Sequence, residues 1–191
     1  MLRRALLSNR LARLLNIGLR STTLGIRFLF LFFLAKHLDP TAVGYYGLFA
    51  ATIGYCMYFV GLDFYVYVTR EILKAPEGQR GHLLKGQVAL SGVLYLVLLP
   101  VAVVFLKQAG WPDFLAWWFF PILLLEHLNQ EITRLLIALS EQITASLILF
   151  ARQGSWGIAI MVLMEVNPES RDLNIVMMLW MLEMCFFTAK R

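Results

Sequence analysis

Charge is scarce in this sequence. Asp, Glu, Lys and Arg make up 15% of its 191 residues, and 60% are hydrophobic. A soluble domain is about 25% charged and about 45–50% apolar, because it must present a polar skin to water. That skin is missing, which excludes an ordinary water-soluble globule and leaves lipid as the solvent for much of the surface. Cysteine is nearly absent. Cys56 and Cys185 each sit in an apolar run, with no CxxC and no zinc spacing, which excludes a disulfide framework and a structural zinc. His37, His82 and His127 form no cluster in the sequence. No P-loop, HExxH, GxSxG or sugar-nucleotide DxD occurs, so the chain is expected to be no enzyme and to need no cofactor or metal.

Strict alternation of polar and apolar residues is also lacking. The apolar runs are continuous, and in lipid such runs satisfy their backbone hydrogen bonds as helices. The expected fold class is an all-α membrane protein. About six transmembrane helices are expected at 16–36, 44–68, 88–106, 114–138, 143–164 and 173–189, with a polar loop over 69–87. A short basic segment, 1–20, precedes the bundle of 21–191. It holds five arginines, and Leu7, Leu11, Leu14 and Leu15 share one side of a helical wheel with Arg3, Arg10, Arg13 and Arg20 mostly opposite. That pattern suits an anionic membrane surface. Gly44, Gly47, Ala51 and Gly54 are expected to allow close helix approach.

Ionisable residues inside spans are expensive, roughly 2.5–3.5 kcal/mol each at mid-bilayer on insertion scales. They therefore need partners or water. Arg27, Glu126, His127, Arg152 and Glu183 fall near one depth on four different spans, while Asp63 and Glu131 fall nearer the end of their spans. The fourth span is the most informative. Glu126, Asn129, Gln130, Thr133 and Arg134 follow i, i+3, i+4, i+7, i+8 and share one helix face. That face is expected to line a hydrated cavity, with Leu124, Leu128, Leu135 and Leu139 opposite. Ion pairs between helices, Arg27 with Glu126 and Arg152 with Glu183, are the alternative. The substrate-cavity set is Arg27, Glu126, Gln130, Arg134 and Arg152. Asp63, Glu131 and Glu183 are the candidates for ion coupling.

Several patterns coincide: RFLFLFFLAKHLDPTAVGYYGLFAA around Arg27 and Leu38-Asp39-Pro40, GLDFYVYVTREI with Arg70-Glu71, EHLNQEITRLLIAL with Glu131, Arg134 and Ala138, and ARQGSW with Arg152 and Trp156. Together they resemble the polysaccharide (O-antigen) flippase branch of the multidrug/oligosaccharidyl-lipid/polysaccharide exporter superfamily. The resemblance implies two pseudo-symmetric six-helix bundles around a cavity, alternating access and coupling to an ion gradient. It implies cavity-side roles for Arg27, Glu126, Arg134 and Arg152. This chain has helices for one bundle, so the resemblance implies a truncated transporter or one that works with a second six-helix bundle.

Three functions follow as expectations. The first is translocation of a lipid-linked oligosaccharide, anionic at its phosphates, which guanidinium groups bind well. The second is multidrug-type export in the same superfamily. The third is a non-transporting scaffold for polysaccharide-assembly proteins.

The 17 Lys and Arg residues explain orientation better than they explain nucleic-acid binding. With the N-terminus in the cytoplasm of a bacterial cell, twelve lie on that side (3, 4, 10, 13, 20, 70, 74, 80, 85, 134, 190 and 191). Three, Lys36, Lys107 and Arg171, lie outside, and Arg27 and Arg152 lie within spans. The positive-inside rule then puts both termini in the cytoplasm, with the chain multi-pass in the inner membrane. With Cys56 and Cys185 replaced by alanine, a cysteine at Gly78 is expected to escape an impermeant external thiol reagent. A cysteine at Ser170 is expected to react. The reverse pattern overturns this orientation.

Overall fold

The basic segment and the first apolar run form one continuous helix. In the computed structural model, which describes residues 2–61, 64–139 and 141–189, α1 (Leu2–His37) runs 36 residues without a break at residue 20. That is roughly 54 Å at the helical rise per residue. The side chains of Arg3, Arg4 and Arg10, and the whole of Asp63, Lys190 and Arg191, lie outside the described residues. Pro40 disfavours helix in the residue before it and opens α2 (Pro40–Gly61). Asp39 caps α2, its Oδ1 accepting from the Thr41 and Ala42 amides at 2.8 and 3.0 Å.

The polar stretch 69–87, expected as a loop, is mostly helix. It is divided between α3 (Phe64–Lys74) and α4 (Glu77–Gln108), with Ala75 and Pro76 between them. The physical reason is that α3 is amphipathic: Val68 and Ile72 are buried at i, i+4, and its charged residues fall on the remaining surface. Polar composition made this stretch look like loop, although Pro76 is its one strong helix breaker.

Gly110 (φ 71°) closes α4 in the left-handed region that suits glycine. Its amide donates to Lys107 O at 3.1 Å, and Trp111 N donates to Leu106 O at 3.1 Å. Pro112 then precedes α5 (Asp113–Ala138). The fifth apolar stretch is α6 (Gln142–Leu149), a wide π-helical segment (Phe150–Ser155) and α7 (Trp156–Val166) in direct succession. A short 3-10 turn (Pro168–Ser170) leads to α8 (Leu173–Ala189).

The chain is all-α, with no strand among the described residues. Four of the described helical stretches are long and apolar enough to cross a membrane: Leu11–His37, Pro40–Val60, Gly78–Gln108 and Gln142–Val166. The apolar part of α8, Leu173–Phe186, is shorter. Helix α5 is 26 residues long, and its polar stripe keeps it out of that set. None of the residues in the most apolar stretch of α4 is buried. Val93, Leu96, Val97, Val101 and Phe105 are all exposed, as expected of a helix wetted by lipid.

By internal packing the chain forms two units, 1–43 with 140–191, and 44–139. In the first unit, α1 packs on α6, the π segment and α7. The α1 residues on that seam are Asn16, Arg20, Thr23, Arg27, Phe30, Leu34 and His37, spaced 4, 3, 4, 3, 4, 3 like a coiled-coil stripe. Thr23, Phe30 and Leu34 are buried. Arg20 Nε donates to Ser146 Oγ at 3.2 Å, and Ser146 Oγ donates to Asn16. Arg27 Nη1 donates to Gln153 Oε1 at 3.2 Å. The Phe30 and Trp156 rings lie 5.0 Å apart, and His37 Nε2 is 3.1 Å from Glu165 Oε2. Both partners in this ladder advance together along the chain, so α1 and the 142–166 column run parallel. Met164, Val176, Met177 and Met184 complete the buried core of this unit, and α8 packs on α7.

In the second unit, Tyr46, Phe49, Ile53 and Val60 are the buried residues of α2. Phe49, Trp111 and Phe119 form a ring cluster with centroids 6.0–6.3 Å apart. Helices α3, α4 and α5 pack on one another.

Close helix approach is found at a different glycine set from the expected one. A side chain added at Gly44, Gly47 or Gly54 would meet nothing within 4 Å. At Gly157 it would meet Ile26 Cγ2 at 3.3 Å, and at Gly154 Ile26 Cδ1 at 3.5 Å, besides the Phe150 ring of its own segment at 3.0 Å. Gly157→Leu is therefore expected to destabilise the protein by about 1–3 kcal/mol, the usual cost of overpacking. Gly25→Leu, which enters open space in the interior of α1, should leave stability unchanged or raise it by up to about 1 kcal/mol. Denaturant titration of the purified, membrane-mimetic-bound protein checks this. Equal effects of the two variants would mean that the α1–α7 contact is not as drawn.

A candidate binding cavity between the third, fourth and fifth helices

Three helix faces enclose a cavity of about 400 Å³ in the second unit. Helix α3 presents Tyr65, Thr69 and Ile72 at i, i+4, i+7. Helix α4 presents Leu84, Gln87, Val88, Ser91, Gly92 and Tyr95, again one face. Helix α5 contributes His127, Glu131 and Arg134 together with Leu124, Leu128, Ile132 and Leu135. Most of the wall is aliphatic. Val88, Leu124 and Leu128 are themselves exposed, so the cavity is open rather than sealed.

The polar part is organised by one carboxylate. Arg134 Nη1 donates to Glu131 Oε1 at 2.6 Å. The side-chain amide of Gln87 donates to Glu131 Oε2. His127 Nε2 stands 3.8 Å from Glu131 Oε1, beyond hydrogen-bond range. The Arg134 guanidinium lies 3.7 Å above the Tyr65 ring, a cation–π stack that strengthens when water is excluded. Glu131 and Arg134 are thus neutralised locally, which is how two charges can persist between apolar helices.

Two atoms on the cavity wall remain without a hydrogen-bond partner, Tyr95 Oη and His127 Nε2. His127 is 4% exposed, and the two rings meet edge to face at 5.6 Å. A buried polar group left unsatisfied costs about 1–3 kcal/mol, so two of them on one wall point to a ligand or water that completes them.

Of the residues singled out in the sequence, Glu131 and Arg134 line this cavity. Glu126 is buried and Gln130 half-buried on α5, but neither is among the lining residues. Asn129 and Thr133 each bond a carbonyl of their own helix: Asn129 Nδ2 donates to Leu125 O at 2.9 Å and Thr133 Oγ1 to Asn129 O at 2.8 Å. The face expected to meet apolar surroundings, Leu124, Leu128 and Leu135, forms cavity wall instead. Arg27, Arg152 and Glu183 belong to the other unit. There Arg27 bonds Gln153, Arg152 is buried in the π segment and Glu183 is half-buried on α8. Asp63 lies outside the described residues. Sequence reading missed Gln87, placed in a supposed loop, and Tyr95, on a span that carries no charge. The 84, 87, 88, 91, 92, 95 spacing was the available signal.

Cysteines scanned through 122–138, in a chain lacking Cys56 and Cys185, are expected to react with a small water-soluble thiol reagent most strongly at 127, 131 and 134. Positions 126, 129 and 133 should react weakly, giving a period near ~3.6 residues. Maxima at 126, 130 and 133 would assign the wet face to the other side of α5.

No family model matches the chain, and neither a curated protein nor a solved structure matches it.

Proposed function

We propose that the chain is a membrane transporter, or one six-helix bundle of a transporter, that carries a lipid-linked oligosaccharide across a bacterial cytoplasmic membrane by alternating access. The observation that carries this reading is the cavity of the second unit. It combines aliphatic walls suited to a lipid with a polar cluster, Gln87–Glu131–Arg134, suited to the hydrated head that the lipid carries. A fixed structural ion pair alone would not call for an open cavity beside it.

Six crossings are supported by parity. Helix α1 and the 142–166 column run parallel on the residue ladder from Arg20–Ser146 to His37–Glu165. Two parallel spanning helices require an odd number of crossings between them. Helices α2 and α4 supply two, and α3, with 11 residues or roughly 16 Å, is too short for a bilayer core of about 30 Å. On this reading the third crossing is α5, polar stripe included, and α8 is the sixth, which would leave both termini on one side of the membrane. The 17 residues of α8 reach roughly 26 Å, short of the core by a margin that local thinning absorbs.

The test is reconstitution of the full chain in proteoliposomes that hold a fluorescent lipid-linked oligosaccharide, with lectin accessibility reporting the leaflet. The expected outcome is time-dependent exposure. Arg134→Ala should slow it about tenfold or more, since truncation strands the Glu131 carboxylate inside the site. Unchanged accessibility, with co-purification of polysaccharide-assembly enzymes, would replace transport with the scaffold role.

A further inference from the structure

We infer that the cavity between α3, α4 and α5 takes the neutral sugar head of a glycolipid through Tyr95 and His127, and discriminates against a phosphate head. This rests on the transport reading above and narrows its site.

Electrostatics comes first. The charged lining residues, Glu131 and Arg134, are joined at 2.6 Å. An entering phosphate would have to compete with that carboxylate for the guanidinium and then sit beside it, like charge against like. One face of the guanidinium is also covered by Tyr65. The cavity therefore offers an anion no uncommitted cation.

Hydrogen bonding points the same way. The unpartnered atoms are a phenol hydroxyl and an imidazole nitrogen. Each hydroxyl of a sugar both donates and accepts, so adjacent hydroxyls satisfy both atoms whichever nitrogen of His127 carries the proton. A phosphate dianion only accepts: it serves Tyr95, but it meets His127 Nε2 in one tautomer alone, the one with the proton on that nitrogen. Tyr65 and Tyr95 add ring surface, against which the C–H faces of a pyranose pack well. The exposed aliphatic residues Val88, Leu124 and Leu128 give the attached chain a path out of the cavity.

The matched probes are octyl β-D-glucoside and octyl phosphate, which share a tail and differ in the head. Binding of each radiolabelled probe is measured to the full chain in nanodiscs. Glucoside binding should be saturable and about tenfold or more tighter than phosphate binding. Tyr95→Phe, which removes one hydroxyl and keeps the ring, and His127→Leu should each weaken glucoside binding about tenfold, and together they should narrow the preference for glucoside over octyl phosphate. Equal or tighter binding of octyl phosphate overturns the assignment, as does glucoside binding that ignores both substitutions. The two readings fail separately. Oligosaccharide flipping without glucoside selectivity removes this head site and leaves transport standing. Selective glucoside binding without flipping keeps the site and removes transport.

Discussion

The parallel seam between α1 and the column of α6, π segment and α7 is the constraint on which the rest of this architecture hangs. It is a mixed seam. Its first half is polar, with Arg20 and Asn16 on Ser146 and Arg27 on Gln153, and its second half is apolar, with Phe30 against Trp156 and Leu34 buried. Hydrophobic contact gains little between helices already solvated by lipid, so directional bonds and small residues do the joining. Gly157 lets Ile26 approach, and the hydrogen bonds fix the register. A register fixed in the parallel sense constrains the intervening chain: two parallel spans are joined by an odd number of crossings. On the proposed topology that demand, rather than hydropathy, places so polar a helix as α5 in the bilayer.

Such a helix is tolerable because its polar groups are met close by. Thr133 and Asn129 bond to carbonyls one turn back along α5. Glu131 receives Gln87 and Arg134 together. Each local bond removes a group that would otherwise need water or a partner in hydrocarbon. The same economy appears in α1 and α2, where Thr23 and Thr52 donate to carbonyls four residues earlier at 2.8 Å. On the cavity wall α5 presents His127, Glu131 and Arg134 as its polar residues. The first two lie one position round from the stripe that the spacing alone suggested.

This difference marks how far the sequence could be read. Continuous apolar runs located the helices well, because run length and composition carry that information directly. Turn chemistry was legible at Asp39-Pro40 and at Gly110-Trp111-Pro112, where each residue type has one structural use. The 69–87 stretch was misjudged because polarity was weighted above periodicity; α3 needs only Val68 and Ile72 to hold its buried face. The cavity face of α5 was not legible, because adjacent polar faces on a wheel look alike and only packing decides which one bonds to its own backbone. The wide turn at 150–155 had no sequence signature beyond Gly154, which accommodates the neighbouring Phe150 ring.

Arginine carried most of the functional expectation, and the structure redistributes it. Arg20 and Arg27 hold α1 to its partner column, and Arg134 is tied to a carboxylate and a tyrosine ring. Guanidinium is well suited to joining helices, being always charged and rich in donors along a rigid fork. Depth in the bilayer is therefore a poor guide to a phosphate path when Arg20, Arg27 and Arg134 each already have an acceptor in reach. The better marker is the opposite kind of atom: a neutral polar group, deeply buried, beside open volume and without a partner. By that measure the cavity wall at Tyr95 and His127 singles itself out. A binding surface built from neutral groups also suits a carrier, since a head held by hydrogen bonds to uncharged side chains can be released without breaking an ion pair in a medium where charge separation is costly.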